Sequence, residues 1–264
     1  MSATQQAQIK VYWLNHSRSQ RILWLLEELE VPYEIEVFHR DKETLMAPRE
    51  LEKIHPLGKS PVVSVTAPGE GEKPVILAES GFLTQYLVDH FPQGARLVPD
   101  KWRAGRENSI GGETDEWLRY AYYMHYAEGS LMPYLVFALV MLQLKSPRIP
   151  LVVRLITSII ANRIISMFVY PNVKKHLGFL NEQLATSSGK YLCGARLSAA
   201  DILVSFPILA GSKRFDEVAS WEGGSWKNAY PRVAEYVGVL ESEPGYKRSV
   251  DRIEALDGKF DPSL

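Results

Sequence analysis

The hydrophobic period of this chain changes once, across a short stretch that has no period of its own. Before residue 92, runs with strand-like alternation take turns with a helical repeat. Residues 92–105 hold Pro92, Gly94, Pro99 and Gly105 and no periodic apolar run, which marks a linker. Beyond them nearly every apolar run has helical spacing. Such a chain cannot close a single large sheet. It is expected to build a small mixed sheet with helices on it, followed by a separate helical part.

The individual elements follow from the residues. Residues 9–14 (Ile-Lys-Val-Tyr-Trp-Leu) read as a strand. A polar turn, Asn15 to Ser19, leads into a helix with Ile22, Leu25, Leu26 and Leu29 on one stripe. Residues 33–39, 61–66 and 75–78 read as further strands, and Leu83, Tyr86, Leu87 and His90 mark a second helix. The expected division is an α/β domain over 8–92, a linker over 93–105 and an all-α domain over 106–264.

Composition removes several functions. Among 264 residues, Lys plus Arg number 30 and Asp plus Glu 31, a balance without the basic excess of a general nucleic-acid binder. Cys193 is the one cysteine, so a disulfide framework, a cysteine-rich zinc site, an iron–sulfur cluster and a C-x-x-C redox pair are excluded, and a reducing compartment is expected. The six histidines are scattered without an H-x-x-x-H pair, so no metal site is expected. The start carries no basic segment followed by an apolar one, and no secretory signal is expected.

Gly58-Lys59-Ser60 is not a phosphate-binding loop. Lys53 stands where that motif needs glycine, and Pro61 would interrupt the helix it must feed. Ser198-Ala199-Ala200-Asp201, between Leu197 and Ile202, reads as a capping box with a hydrophobic staple and is assigned to folding. Three features are left for chemistry. Ser17 lies in a turn that enters a helix N-terminus, where a hydroxyl meets unpaired N–H groups; Ser19 beside it reads as a helix cap. Ser60-Pro61 opens a strand, where a proline withholds a ladder donor; alone it reads as a trans turn. Glu79-Ser80 starts a helix, with Ser80 as its N-cap or as part of a carboxylate site, beside which Glu79 would take an ammonium group.

In order and spacing, these pieces resemble the cytosolic glutathione transferases. The resemblance is carried by Val11 to Arg21, by His55-Pro56-Leu57-Gly58-Lys59-Ser60-Pro61-Val62-Val63, by Leu77-Ala78-Glu79-Ser80, and by Tyr191-Leu192-Cys193-Gly194 through Ile202. The phrases from Ser17 to Leu29 and from Tyr123 to Pro133 look most like the fungal GTT-type class and its bacterial relatives. The resemblance implies a thioredoxin-like N-terminal domain that binds glutathione, an all-α domain that supplies an electrophile pocket, and a homodimer in the cytoplasm. It implies a serine-type glutathione transferase that conjugates hydrophobic electrophiles, in detoxification or stress response, with glutathione-dependent peroxidase activity as a further expectation. Glutathione is then a cosubstrate, and no other cofactor is expected. A non-catalytic regulatory or assembly module of the same build is the alternative.

Residue by residue, Ser17 aligns with the serine that activates the thiol. Pro61 aligns with the cis-proline, and the main chain of Ser60 with the one that pairs with the cysteinyl unit. Glu79 and Ser80 match the pair that holds the γ-glutamyl end, and Lys59 a contact to the glycine carboxylate. Asn15, Ser19 and Tyr12 are alternative activators. Relatives with redox chemistry carry cysteine on this turn, and this chain carries none. Tyr120, Tyr123, Met124 and Ala127 recur at helical spacing and are expected either in a helix core or lining the electrophile pocket, together with Leu131. Residues 151–170 form the most apolar stretch, but Arg154, Asn162 and Arg163 argue against a spanning helix. Packing against the rest of the domain is the first expectation for it; peripheral contact with an internal membrane and an extra subunit contact are the alternatives.

Overall fold

The structure is a computed structural model that describes residues 7–69, 72–218 and 220–262. Its contacts divide the described chain into two units: residues 7–98 with 241–262, and residues 99–240. In the first unit, strand β1 (Gln8–Leu14) alternates buried Ile9, Val11 and Trp13 with half-buried Lys10 and Tyr12, as a strand of period two must. Helix α1 (Ser19–Leu29) follows the turn, and β2 (Glu34–Phe38) returns parallel to β1. Strands β3 (Val62–Thr66) and β4 (Val75–Ala78) add antiparallel, giving the order β2-β1-β3-β4. Helix α2 (Ser80–His90) completes the set. This is the thioredoxin-like arrangement expected, and the register Tyr12↔Val62 brings the start of β3 beside the end of β1.

The second unit is helical. Helix α3 (Asp115–Tyr126) runs through a π turn (Ala127–Leu131) into α4 (Met132–Gln143). Helix α5 (Leu151–Ile164) passes through another (Ile165–Val169) into α6 (Tyr170–Ala185). A proline, Pro133 or Pro171, stands just beyond each π turn. A proline inside a helix removes one donor and crowds the preceding turn, and the wider π turn accommodates both effects. Helix α7 (Ala199–Ser212) is buried along nearly its whole length. Short helices α8 (Phe215–Val218) and α9 (Trp226–Ala229) lead to α10 (Pro231–Ser242).

The capping box forms as expected: Asp201 N donates to Ser198 Oγ at 3.3 Å, and Ser198 N to Asp201 Oδ2 at 3.0 Å. Asp201 is completely buried and also accepts from Leu192 N (2.9 Å) and from the Tyr236 hydroxyl (2.7 Å), so one carboxylate ties three segments together. Burial and Asp201 push the neighbouring Cys193 thiol up, which leaves the one cysteine an inert core residue.

Two expectations change. Residues 151–170 pack into the domain only in part: Ala161 is the one α5 side chain that is buried and most of the apolar residues of α5 face outward, whereas Ile165 and Val169 of the following π turn are buried. The last helix, α11 (Pro244–Asp257), belongs with the first unit rather than with the helical one. It lies on α1, where Gln20 Nε2 donates to Ser249 Oγ (2.8 Å) and Trp24 meets Tyr246 edge-on at 5.3 Å. A Cβ at Gly245 would fall 2.0 Å from Glu28 Oε1, so a larger residue there would make the Glu28 side chain shift. A helical period says that α11 is a helix but not which core it covers.

Candidate functional site

The turn after β1 is held from both sides. Asn15 N donates to Phe38 O, extending the β1–β2 ladder, and Arg40 N donates to Asn15 Oδ1 at 2.7 Å. The Arg40 guanidinium closes over the turn, reaching Asn15 O (3.2 Å), His16 O (3.3 Å) and Leu45 O (3.1 Å). His16 sits at φ 48°, a left-handed conformation that costs a non-glycine residue about 1–2 kcal/mol. Three carbonyls and a side-chain amide on Arg40 are what hold it there. Burial, and then the charge of Arg18, push Arg40 down from its ordinary value, so the turn lies near two guanidinium groups. Beside it a cavity of about 290 Å³ is lined by Trp13, Asn15, His16, His39, Asp257, Lys259 and Asp261.

Ser17 lies beneath this turn, 7% exposed. Its hydroxyl donates to Leu14 O (2.6 Å), and its oxygen accepts from Ser19 N (3.2 Å) at the N-terminus of α1. Ser19 does not cap α1; Arg18 occupies that position, without a side-chain bond. The Ser19 hydroxyl turns inward instead, 2.6 Å from Ser17 Oγ and 2.5 Å from Ser60 Oγ, and accepts from Leu14 N (3.3 Å). Ser60 Oγ also reaches Tyr12 O at 3.3 Å and Ser17 Oγ at 3.5 Å. The Ser60-Pro61 peptide is cis, where the residues taken alone read as trans. Pro61 is buried and Lys59 is exposed.

Each hydroxyl has one hydrogen to donate. With that of Ser17 on Leu14 O and that of Ser60 on Tyr12 O, Ser19 can donate only to one of the other two. The three serines then form a closed set. Ser17 can serve an external anion only when its hydrogen leaves Leu14 O. That exchange is favourable, because a neutral hydrogen bond contributes about 0.5–1.5 kcal/mol net and one to a charged group about 1.5–3 kcal/mol.

At the start of α2 the N-cap residue is Glu79, at φ 70° and ψ 109°, and its side chain makes no capping bond. Ser80, expected as the cap, is the first helical residue and 3% exposed. Its hydroxyl oxygen is taken by Arg21, whose Nη2 donates to it at 2.5 Å. Arg21 is itself 1% exposed. The exposed carboxylate of Glu79 and the buried hydroxyl of Ser80 thus stand side by side at a helix N-terminus, with a guanidinium behind them. Sequence reading missed Arg21 and Arg40. A charged residue within the apolar stripe of α1 was a signal for the first; the role of Arg40 depends on strand pairing and had none.

In the second unit Tyr123 is wholly buried, with its ring against those of Tyr122, Tyr126 and Phe179. Its hydroxyl is buried without a hydrogen-bond partner, and burial pushes it up from its ordinary value. Ala127 and Leu131 are buried too. Tyr123 and Ala127 thus take the helix-core alternative, while Tyr120 and Met124 keep partly exposed surface. Among the described residues there is no cluster of His, Cys, Asp and Glu able to hold a metal.

Comparison with known proteins agrees with this architecture. Residues 17–90 match the model of the glutathione S-transferase N-terminal domain and residues 161–248 that of the C-terminal domain. Glutathione S-transferase 1 of Saccharomyces cerevisiae is 34% identical over 252 residues, covering 96% of this chain and 98% of its own. A glutathione S-transferase structure from Actinobacillus pleuropneumoniae shares the fold at TM-score 0.65 and 24% identity, covering 92% of each chain. One from Pseudomonas fluorescens, solved with two glutathione molecules bound, does so at TM-score 0.61 and 19% identity over 94% of each. With an identity of this size over nearly the full length, the chain belongs to the glutathione S-transferase family of enzymes.

Proposed function

We propose that this transferase conjugates the thiolate of glutathione to hydrophobic electrophiles, with Ser17 as the hydroxyl that holds the thiolate. The observation that carries this is the Ser17–Ser19–Ser60 set at the N-terminus of α1, next to the cis Ser60-Pro61 bond. A free thiol with pKa near 8.5 is only a few per cent thiolate at neutral pH. A hydroxyl donor, a helix N-terminus and nearby guanidinium groups all favour the charged form. A shift of about two units corresponds to roughly 2.7 kcal/mol and makes most of the bound thiol reactive. Ser17 acts as a donor and forms no covalent bond.

The rest of the cosubstrate is assigned by charge. The main chain of Ser60 pairs with the cysteinyl unit, beside Pro61. Ser80, backed by Arg21, takes the γ-glutamyl carboxylate, Glu79 the ammonium group, and Lys59 the glycine carboxylate. Tyr120 and Met124 line the electrophile side. No cofactor beyond glutathione is needed, and the enzyme works as a homodimer in the cytoplasm. The same thiolate would attack a hydroperoxide, breaking its O–O bond to give the alcohol and a glutathione sulfenic acid, which a second glutathione converts to glutathione disulfide and water; this is glutathione-dependent peroxidase activity.

The closed serine set favours one other reading, a module that binds glutathione without activating it. Steady-state conjugation of a chloronitrobenzene, with peroxide reduction alongside, decides between them. Turnover by the wild type that falls by tenfold or more in Ser17→Ala supports the transferase reading (about 1.4 kcal/mol or more). Glutathione binding without either activity supports the module.

A further inference from the structure

Ser19 has no exposed surface, so solvent does not compete for its hydroxyl hydrogen. Three short contacts run through it and Ser17: Ser60 Oγ to Ser19 Oγ at 2.5 Å, Ser19 Oγ to Ser17 Oγ at 2.6 Å, and Ser17 Oγ to Leu14 O at 2.6 Å. The alternatives are long, 3.3 Å from Ser60 Oγ to Tyr12 O and 3.5 Å from Ser17 Oγ to Ser60 Oγ. Hydrogen bonds between oxygens cluster at about 2.7–2.8 Å and seldom pass about 3.0 Å.

One hydrogen per hydroxyl gives the three contacts a single direction. Leu14 O has no hydrogen, so Ser17 donates there. With that hydrogen committed, the bond between Ser17 and Ser19 must be donated by Ser19. The Ser19 hydrogen is then committed too, and the bond between Ser19 and Ser60 must be donated by Ser60. Placing the Ser60 hydrogen on Tyr12 O would leave one short contact between hydroxyls without a hydrogen. The chain therefore runs from Ser60 to Ser19 to Ser17 to Leu14 O. Ser19 N donates to Ser17 Oγ at 3.2 Å and Leu14 N to Ser19 Oγ at 3.3 Å, so each of these two oxygens accepts twice and donates once. That fills the hydrogen-bonding capacity of both.

A hydroxyl that accepts hydrogen bonds is polarised into a stronger donor, and burial enhances the effect. The two donors of Ser19 occupy the lone pairs of Ser17 Oγ and direct the Ser17 hydrogen away from them. When a thiolate arrives, only the last hydrogen changes acceptor, from Leu14 O to sulfur. The rest of the chain stays in place.

We propose that Ser19 is a positioning residue for the transferase reaction, resting on Ser17 as the hydroxyl that holds the thiolate. Through its N–H and its O–H, Ser19 aims and strengthens the hydrogen that Ser17 gives to the sulfur. Ser19 does not meet the sulfur itself.

The test is ultraviolet titration of bound glutathione thiolate, with steady-state conjugation of a chloronitrobenzene as a function of pH, in wild type, Ser17→Ala, Ser19→Ala and Ser60→Ala. In Ser19→Ala the thiol value is expected to rise by about half to one unit, and kcat to fall about three- to tenfold near pH 6. Above about pH 9 the bound thiol is ionised in both enzymes and the two rates should meet, whereas a merely structural defect would persist. Ser60→Ala should raise the thiol value by a smaller amount, because it removes the hydrogen that polarises Ser19. A Ser19→Ala enzyme with the wild-type thiol value, or with a loss in kcat that persists at high pH, overturns the proposal. So does a thiol value that is unchanged or lowered in Ser60→Ala, since the Ser19 hydrogen would then lie on Ser60 in the wild type. These results leave the role of Ser17 standing as long as Ser17→Ala itself raises the thiol value towards that of the free thiol. If Ser17→Ala keeps the lowered value, the reading of Ser17 fails and the proposal falls with it. If Ser19→Ala fails to fold, the sign of the shift in Ser60→Ala decides alone.

Discussion

Arg21 Nη2 donates to Ser80 Oγ across 2.5 Å, joining a buried position of α1 to the first turn of α2. This bond takes the serine away from capping and brings a positive charge behind a helix N-terminus, where an anion is already favoured. It gives Ser80 one orientation and leaves its hydrogen for another partner.

Replacing Arg21 should therefore weaken glutathione binding more than turnover at saturation. Arg21→Met is expected to raise the glutathione Kd by about 10- to 100-fold, the equivalent of one charge-assisted hydrogen bond. Arg21→Lys should not restore it, because an ammonium group lacks the planar fork of the guanidinium. Calorimetric titration with glutathione measures both.

Arg40 positions the turn as well as adding positive charge beside it. Arg40→Met removes bonds to three carbonyls and strips support from the left-handed His16. The expected result is a fall in kcat of about tenfold, since misplacing a catalytic group by about 1 Å can cost two orders of magnitude. Asn15→Ala, which loses the Arg40 N contact, should show a smaller fall of the same kind. Steady-state kinetics at saturating glutathione checks both.

The capping box gives a stability prediction for the helical unit. Ser198→Ala loses the cap of α7 and a hydroxyl bond to the buried Asp201 carboxylate. A cost of about 1–2 kcal/mol is expected. In a chain of this size that lowers Tm by roughly 2–8 °C, measurable by calorimetry.

His176 sets a pH dependence. Burial pushes its imidazole down from the ordinary value, and the Tyr126 hydroxyl lies 2.7 Å from its Nδ1. The unfolded chain takes up the proton first as pH falls. The contribution of His176 to stability is thus complete above about pH 6.5 and is lost as pH drops through the folded value. Thermal unfolding should show Tm declining on acidification over this range, and His176→Phe should flatten the decline.

What could be read from the residues was local. The strands β1 to β4 and the stripe of α1 lie close to their expected positions, and the Ser198–Asp201 box formed as its spacing required. What could not be read depends on partners far along the chain. Ser19 is a helix cap by spacing, but Ser60, 41 residues away, captures its hydroxyl. Ser80 is a cap by spacing, but Arg21 captures it. Tyr123 and Tyr120 share a helix and a chemistry, and only packing against Phe179 and its neighbours separates a core residue from a pocket candidate. The apolar content of α5 was plain, whereas its outward direction was not.

The central claim is that Ser17 gives up its bond to Leu14 O to hold a thiolate. The most direct measurement is the ultraviolet absorbance of bound glutathione thiolate as pH is varied, in wild type and in Ser17→Ala. The wild type should titrate about two units below the free thiol value near 8.5, and Ser17→Ala, still binding glutathione, should titrate close to it. A variant that binds glutathione and keeps the lowered value would contradict the assignment and transfer the role to another group on the same turn.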